Sequence, residues 1–145
     1  MTIWDGMFTG LVIGIVLSTP AFVAELLHHR SDLPLLVDVK SVWGKEVPST
    51  DVLTWSMVLY LALAMAFGGL YPGLVTIGLV DSFDFVSIAV YTVVFYLVVG
   101  LLASPALGLG PFGRREGALV WLELLISHVF FGIGFWYAAN FVVPS

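Results

Sequence analysis

Charged side chains divide this chain into long uncharged runs, and each run has about the length of a membrane-crossing helix. Nineteen uncharged residues run from Gly6 to Ala24, between Asp5 and Glu25. Twenty-nine run from Val52 to Val80, another 29 from Phe85 to Gly113, and the 22 residues after Glu123 carry no formal charge. A helix that crosses a bilayer needs about 20 mostly apolar residues. The pattern predicts an all-α, polytopic membrane protein: one transmembrane domain over residues 1–145, a bundle of four helices near 4–28, 53–78, 84–104 and 117–141.

Local signals refine the boundaries. The segment Met1-Thr2-Ile3-Trp4-Asp5 has no Lys or Arg before the first apolar run, unlike a secretory signal, so the run reads as a retained helix. In the first loop Leu35, Leu36, Val39, Val42 and Trp43 recur at helix-like spacing after Ser31-Asp32-Leu33-Pro34. This predicts an interfacial helix near 33–45, with an ordered loop over the bundle as the alternative. Ser49-Thr50-Asp51 offers a cap for helix two, and Asp81 and Asp84 offer caps for helix three. Pro72 should kink helix two near its outer end. Gly108, Gly110 and Gly113 around Pro111 should end helix three near Pro105.

Composition agrees with the pattern. Of 145 residues 60% are hydrophobic, with 5 basic and 10 acidic side chains. A soluble domain carries about a quarter charged residues, and disorder needs low hydrophobicity and high charge; both are excluded. With no cysteine there is no disulfide, thiolate metal site or cysteine nucleophile. Five scattered basic residues and a net charge of −5 leave no footprint for nucleic acid. Arg30, Lys40 and Lys45 fall in the first loop, Arg114 and Arg115 in the third. Short loops rich in Lys and Arg stay cytoplasmic, which predicts a multi-pass protein of the cytoplasmic membrane with both termini outside. Trp4, Trp43, Trp55, Trp121 and Trp136 fall near span ends, where indole rings favour the interface.

Two patterns concern helix packing. Gly6, Gly10, Gly14 and Ser18 recur every fourth residue, a spacing that lets backbones approach in lipid. They suit contact inside one bundle or between copies of the chain. Gly100, Ser104 and Gly108 form a similar row, and Gly69 and Gly73 a further pair. There is also a faint repeat. Val16-Leu17-Ser18-Thr19-Pro20 matches Leu101-Leu102-Ala103-Ser104-Pro105, and Phe67-Gly68-Gly69-Leu70-Tyr71 matches Phe131-Gly132-Ile133-Gly134-Phe135. A duplication would make the fold two parallel helical hairpins about an axis along the membrane normal.

Ionisable groups within the spans are candidates for function, since a charge at a helix centre costs roughly 2.5–3.5 kcal/mol on insertion scales. Glu25 and Glu123 lie at matched depth near the cytoplasmic end, and His128 lies deeper. The two glutamates suit a polar network with His29, Arg30, Arg114 or Arg115, a proton- or ion-binding pair, or side chains snorkelling into headgroups. Glu25-x-x-His28, followed by His29, resembles half of a bundle di-metal motif. Glu123 and His128 are about 140° apart on an ideal helix, however, which predicts no metal site. His128 could ligate haem or a pigment, or hydrogen-bond to a neighbour; no cofactor identity follows. Ser18, Ser104 and Ser127 lack the His and carboxylate spacing of a triad, and no phosphate loop or zinc motif is present.

The order of an apolar helix, then Gly108-Leu109-Gly110-Pro111-Phe112-Gly113-Arg114-Arg115, then Trp121-Leu122-Glu123-Leu124-Leu125-Ile126-Ser127-His128-Val129-Phe130-Phe131-Gly132, resembles a family of small four-helix prokaryotic membrane proteins of unknown function. Phe67-Gly68-Gly69-Leu70-Tyr71 resembles the same family. The resemblance implies a four-helix fold and no activity. That family also tends to carry a histidine in helix two, where this chain has alanines such as Ala64. Together these readings lead to the expectation of a non-enzymatic accessory or structural subunit of a membrane assembly. Its rivals are a homo-oligomeric transporter or channel using Glu25 and Glu123, and a haem- or pigment-binding subunit using His128.

Overall fold

The structure is a computed structural model. It describes residues 1–26, 41–42, 44–48 and 51–143, with the side chains of residues 21–22 and 24–26 outside that description. The chain is mostly helical. Among the described residues four helices are long and apolar enough to cross a membrane: α1 (Ile3–Leu26), α2 (Val52–Thr76), α3 (Phe85–Ala106) and α4 (Val120–Val142). Each lies within a few residues of a run bounded by charge. Two π-helical turns, Val99–Ala103 in α3 and Ala138–Val142 in α4, interrupt the regular winding.

The connections correct two expectations. The helical spacing through residue 45 does not hold at its far end. Ser41–Val42 (β1) and Lys45–Glu46 (β2) form an antiparallel hairpin, pairing Ser41 with Glu46 and Val42 with Lys45. Gly44 turns it at φ 78°, a left-handed conformation glycine adopts without a steric penalty. Residues 33–40 and 43 lie outside the described residues. At α2, Asp51 occupies the cap position, but its carboxylate accepts no hydrogen bond from the first turn. Asp84 does cap α3. One carboxylate oxygen accepts from the Val86 and Ser87 amides at 2.9 and 3.0 Å, and the other from the Ser82 and Ser87 hydroxyls. These donors hold the Asp84 carboxyl below the usual carboxylate range.

α1 lies along α2, α3 lies along α4, and α1 also touches α4. The glycine row of α1 meets a second small-residue row on α2. A Cβ on Gly10 would overlap the Ala64 carbonyl oxygen, one on Gly6 the Gly68 carbonyl oxygen, and one on Gly68 the Gly6 carbonyl oxygen. A Cβ on Gly14 would lie 2.8 Å from the Ala64 methyl. The two backbones thus approach at Gly6–Gly68 and Gly10–Ala64 in an antiparallel pair. The row Gly100, Ser104, Gly108 behaves differently: Gly100 faces Phe112 and Gly108 faces Ser41, both in the connections.

The core is an aromatic hub on an adjoining face of α2. Phe67 meets Tyr91, Phe95, Phe131 and Phe135 edge-on, with ring centroids 4.8, 5.0, 4.7 and 5.8 Å away. Edge-to-face geometry suits the ring quadrupoles. Tyr71 and Phe135 have no exposure at all. The two phenols in the hub find backbone acceptors, Tyr91 on Phe67 O at 2.8 Å and Tyr71 on Ser82 O at 2.7 Å.

The seam between α1 and α2 makes a measurable distinction among glycines. Gly10→Ala and Gly68→Ala should each cost about 1–3 kcal/mol, the usual cost of overpacking. Gly73→Ala should be neutral or slightly stabilising, since its Cβ would meet nothing nearer than Ile3 Cδ1 at 3.9 Å. Reversible unfolding in mixed micelles measures the difference; equal effects at Gly68 and Gly73 would refute the seam.

Candidate functional site

At the end of the bundle that carries the first and third loops, α2, α3 and α4 diverge around a cavity of about 110 Å³. Local conformation in α3 and the third loop shapes it. The π-turn at Val99–Ala103 adds a residue to one turn of α3, just before Ser104, which lines the cavity. Below it the chain folds back, with Leu109 and Gly113 contributing to the floor. Gly108, Gly110 and Gly113 all have left-handed φ, and so does Phe112 at 52°. A non-glycine residue there is uncommon. The Phe112 ring lies over Gly100, where a Cβ would collide with it, and 5.2 Å from the Tyr96 ring. The Ser41 hydroxyl donates to Leu107 O at 3.2 Å, tying the hairpin to this floor.

Among the described residues the walls are apolar apart from five side chains: Ser56 and Tyr60 on α2, Ser104 on α3, and Ser127 and His128 on α4. His128 Nδ1 lies 2.7 Å from Leu124 O, one turn back on α4. A carbonyl only accepts, so Nδ1 must carry the proton, and in the neutral ring Nε2 is a bare acceptor. The hydrogen bond of this ring among the described residues is the one at Nδ1, an Nε2 without a partner is not enclosed, and the ring packs against Phe95 and Tyr96.

The hydroxyls divide into two groups. Hydroxyls in apolar helices usually return to a carbonyl one turn back. Thr19, Ser56, Thr76 and Thr92 do so, onto Ile15, Val52, Pro72 and Ile88. Ser104 and Ser127 do not, although they are only 5% and 9% exposed. Neither has a hydrogen-bond partner among the described residues, and both line the cavity.

The other candidates fall elsewhere. Glu25 lies in the last turn of α1, with its side chain outside the described residues, as are His28 and His29. Glu123 is half-buried in the first turn of α4, where the helix dipole favours a carboxylate, and it does not line the cavity. Gly6, Gly10 and Gly14 face α2, while Ser18, 1% exposed, donates to Ile15 O. Among the described residues no cluster of three His, Cys, Asp or Glu could hold a metal. Ala64 lines the same cavity as His128, so among the described residues a single imidazole faces it. Sequence reasoning passed over Ser56 and Tyr60, whose four-residue spacing on α2 was the available signal.

Comparison with protein-family models, with curated proteins and with solved structures finds no match for this chain. The functional reading therefore rests on the residues themselves.

The tautomer of His128 is directly observable. Nitrogen-15 NMR of histidine-labelled protein should show the neutral His128 ring protonated at Nδ1 and bare at Nε2, with His128→Asn supplying the assignment. The opposite tautomer would mean that the Leu124 hydrogen bond does not form.

Proposed function

We propose that this chain is an integral protein of the cytoplasmic membrane, with four spans and both termini outside, and that it serves as a non-enzymatic accessory or structural subunit of a membrane assembly. The observation that carries this reading is where the apolar side chains point. In the four candidate spans only 22–33% of the residues are buried within the chain. Trp4, Phe8 and Val16 on α1, Val86 and Val90 on α3, and Phe130 on α4 all face outward. Surface of this kind calls for lipid or other membrane helices. The glycine seam and the aromatic hub leave a stiff body that presents it.

A duplicated origin for the two hairpins is part of the proposal. Matching residues of the repeat meet across the centre: Phe67 with Phe131 at 4.7 Å, and Tyr71 with Phe135 at 5.9 Å. These contacts support a pseudo-two-fold axis between α2 and α4, although α1 packs on α2 more closely than α3 on α4.

A second reading, a ligand-binding membrane subunit using His128, is favoured by the bare Nε2 beside the cavity. The volume of about 110 Å³ lies below the roughly 300–1,000 Å³ that drug-sized ligands occupy. It favours a small occupant over a haem or pigment macrocycle. Transport through Glu25 and Glu123 gains no such support, since Glu123 stands apart from the cavity.

Two experiments test the proposal. In the natural cysteine-free background, an impermeant thiol reagent on intact cells should label Asp81→Cys and spare Glu46→Cys, while permeabilised cells label both. The reverse pattern would overturn the orientation. Gentle extraction followed by native mass spectrometry should find the chain in stoichiometric complex with another membrane protein or with itself. A lone monomer under all mild conditions would overturn the subunit role.

A further inference from the structure

We propose that the cavity beside His128 binds a neutral hydroxyarene: a single phenol or hydroquinone ring whose hydroxyl donates to His128 Nε2. The proposal rests on the reading of His128 as a ligand-contacting residue and gives that ligand a chemical class.

Hydrogen-bonding capacity comes first. Nε2 can only accept, so whatever satisfies it must bring a donor. Ser104 and Ser127 are more than nine-tenths buried and line the cavity, and since no enclosed side-chain oxygen among the described residues lacks a partner, any hydroxyl of theirs left without one keeps open surface. A hydroxyl that opens onto apolar walls gains a hydrogen bond when a ligand brings the partner. Both residues line the cavity, on α3 and α4, so a ligand there meets serines from two helices. A ligand oxygen there can accept from a serine while its proton goes to the imidazole.

Charge narrows the class. No Lys, Arg, Asp or Glu among the described residues lines the cavity. An ionised ligand would lose its hydration and find no counter-charge. The occupant must be neutral as it sits there.

Shape and polarity decide between neutral molecules. Phe67, Phe95 and Phe131 line the cavity, and Phe67 already meets the other two edge-on. An aromatic ring continues that cluster with favourable quadrupole geometry. A phenolic hydroxyl, with an ordinary pKa near 10, is a better donor to an imidazole nitrogen than an aliphatic alcohol. A volume of about 110 Å³ exceeds the roughly 30 Å³ that a water occupies in the liquid and falls short of a multi-ring ligand. It suits one ring.

The test uses the full chain in lipid nanodiscs with nitrogen-15 histidine, titrated separately with phenol, anisole, cyclohexanol and hemin. Phenol should move the His128 Nε2 resonance in the direction of an accepted hydrogen bond. Anisole, which has no donor, should leave it unmoved. Ser104→Ala with Ser127→Ala should weaken phenol binding about tenfold, the effect of losing a buried hydrogen-bond partner. An equal response to cyclohexanol would overturn the aromatic class, and a response to anisole equal to phenol's would overturn the donor. A hemin absorbance shift lost in His128→Ala, without any phenol response, would overturn the hydroxyarene while keeping His128 as a ligand-contacting residue. No response to any probe would overturn both.

Discussion

The close approach of α1 to α2 depends on backbone positions that carry no side chain beyond hydrogen or methyl. Pro72 sharpens this point. It has no N–H, so the Gly68 carbonyl lacks the donor that helical geometry would supply from that position. That carbonyl lies where the Cβ of any larger residue at position 6 would sit. A Cα–H of glycine can approach such an oxygen, a weak contact that recurs between closely packed helices. Once the Ala64–Gly68–Pro72 face of α2 is committed to α1, its neighbouring face, with Phe67 and Tyr71, is turned to α3 and α4. The hub and the cavity wall both follow from that orientation.

Much of this was legible in the sequence, for identifiable reasons. A charge is costly in hydrocarbon, so runs between charges mark helices with few exceptions. The α1 glycines were visible because i and i+4 positions share a helix face. Their partner row was not, because an alanine, a glycine and a proline at the same spacing do not form a uniform signal. The first loop misled at its far end: a spacing shared by helices and turns was overruled by the left-handed geometry of Gly44. The Asp51 cap failed where Asp84 succeeded, because a capping carboxylate needs the β-region backbone that Asp84 has and Asp51 lacks.

The candidate site was only half legible. His128 stood out as a lone imidazole in an apolar run. Its significance comes from Leu124 O, which fixes the tautomer, and from the hydroxyls of Ser127 on its own helix and Ser104 on α3. Ser104 reaches the cavity through a π-turn, and the floor depends on Phe112 holding an uncommon left-handed φ. Neither feature has a marker that can be read along the chain. Contacts distant in sequence surround them: Gly100 lies beneath the Phe112 ring, and the hairpin's Ser41 donates to Leu107 O.

The seam between α1 and α2 joins helices that are neighbours in the chain, and this sets an order of assembly. Every residue it needs, from Gly6 to Pro72, has been made before α3 begins. Its two helices can associate during synthesis, when domains and their parts commonly form in the order of translation. The hub draws on Phe131 and Phe135 and cannot close until the last helix is complete. Chain order therefore makes the α1–α2 seam complete in sequence before the hub is, and α2 carries both, with Gly68 on the seam and Phe67 and Tyr71 in the hub.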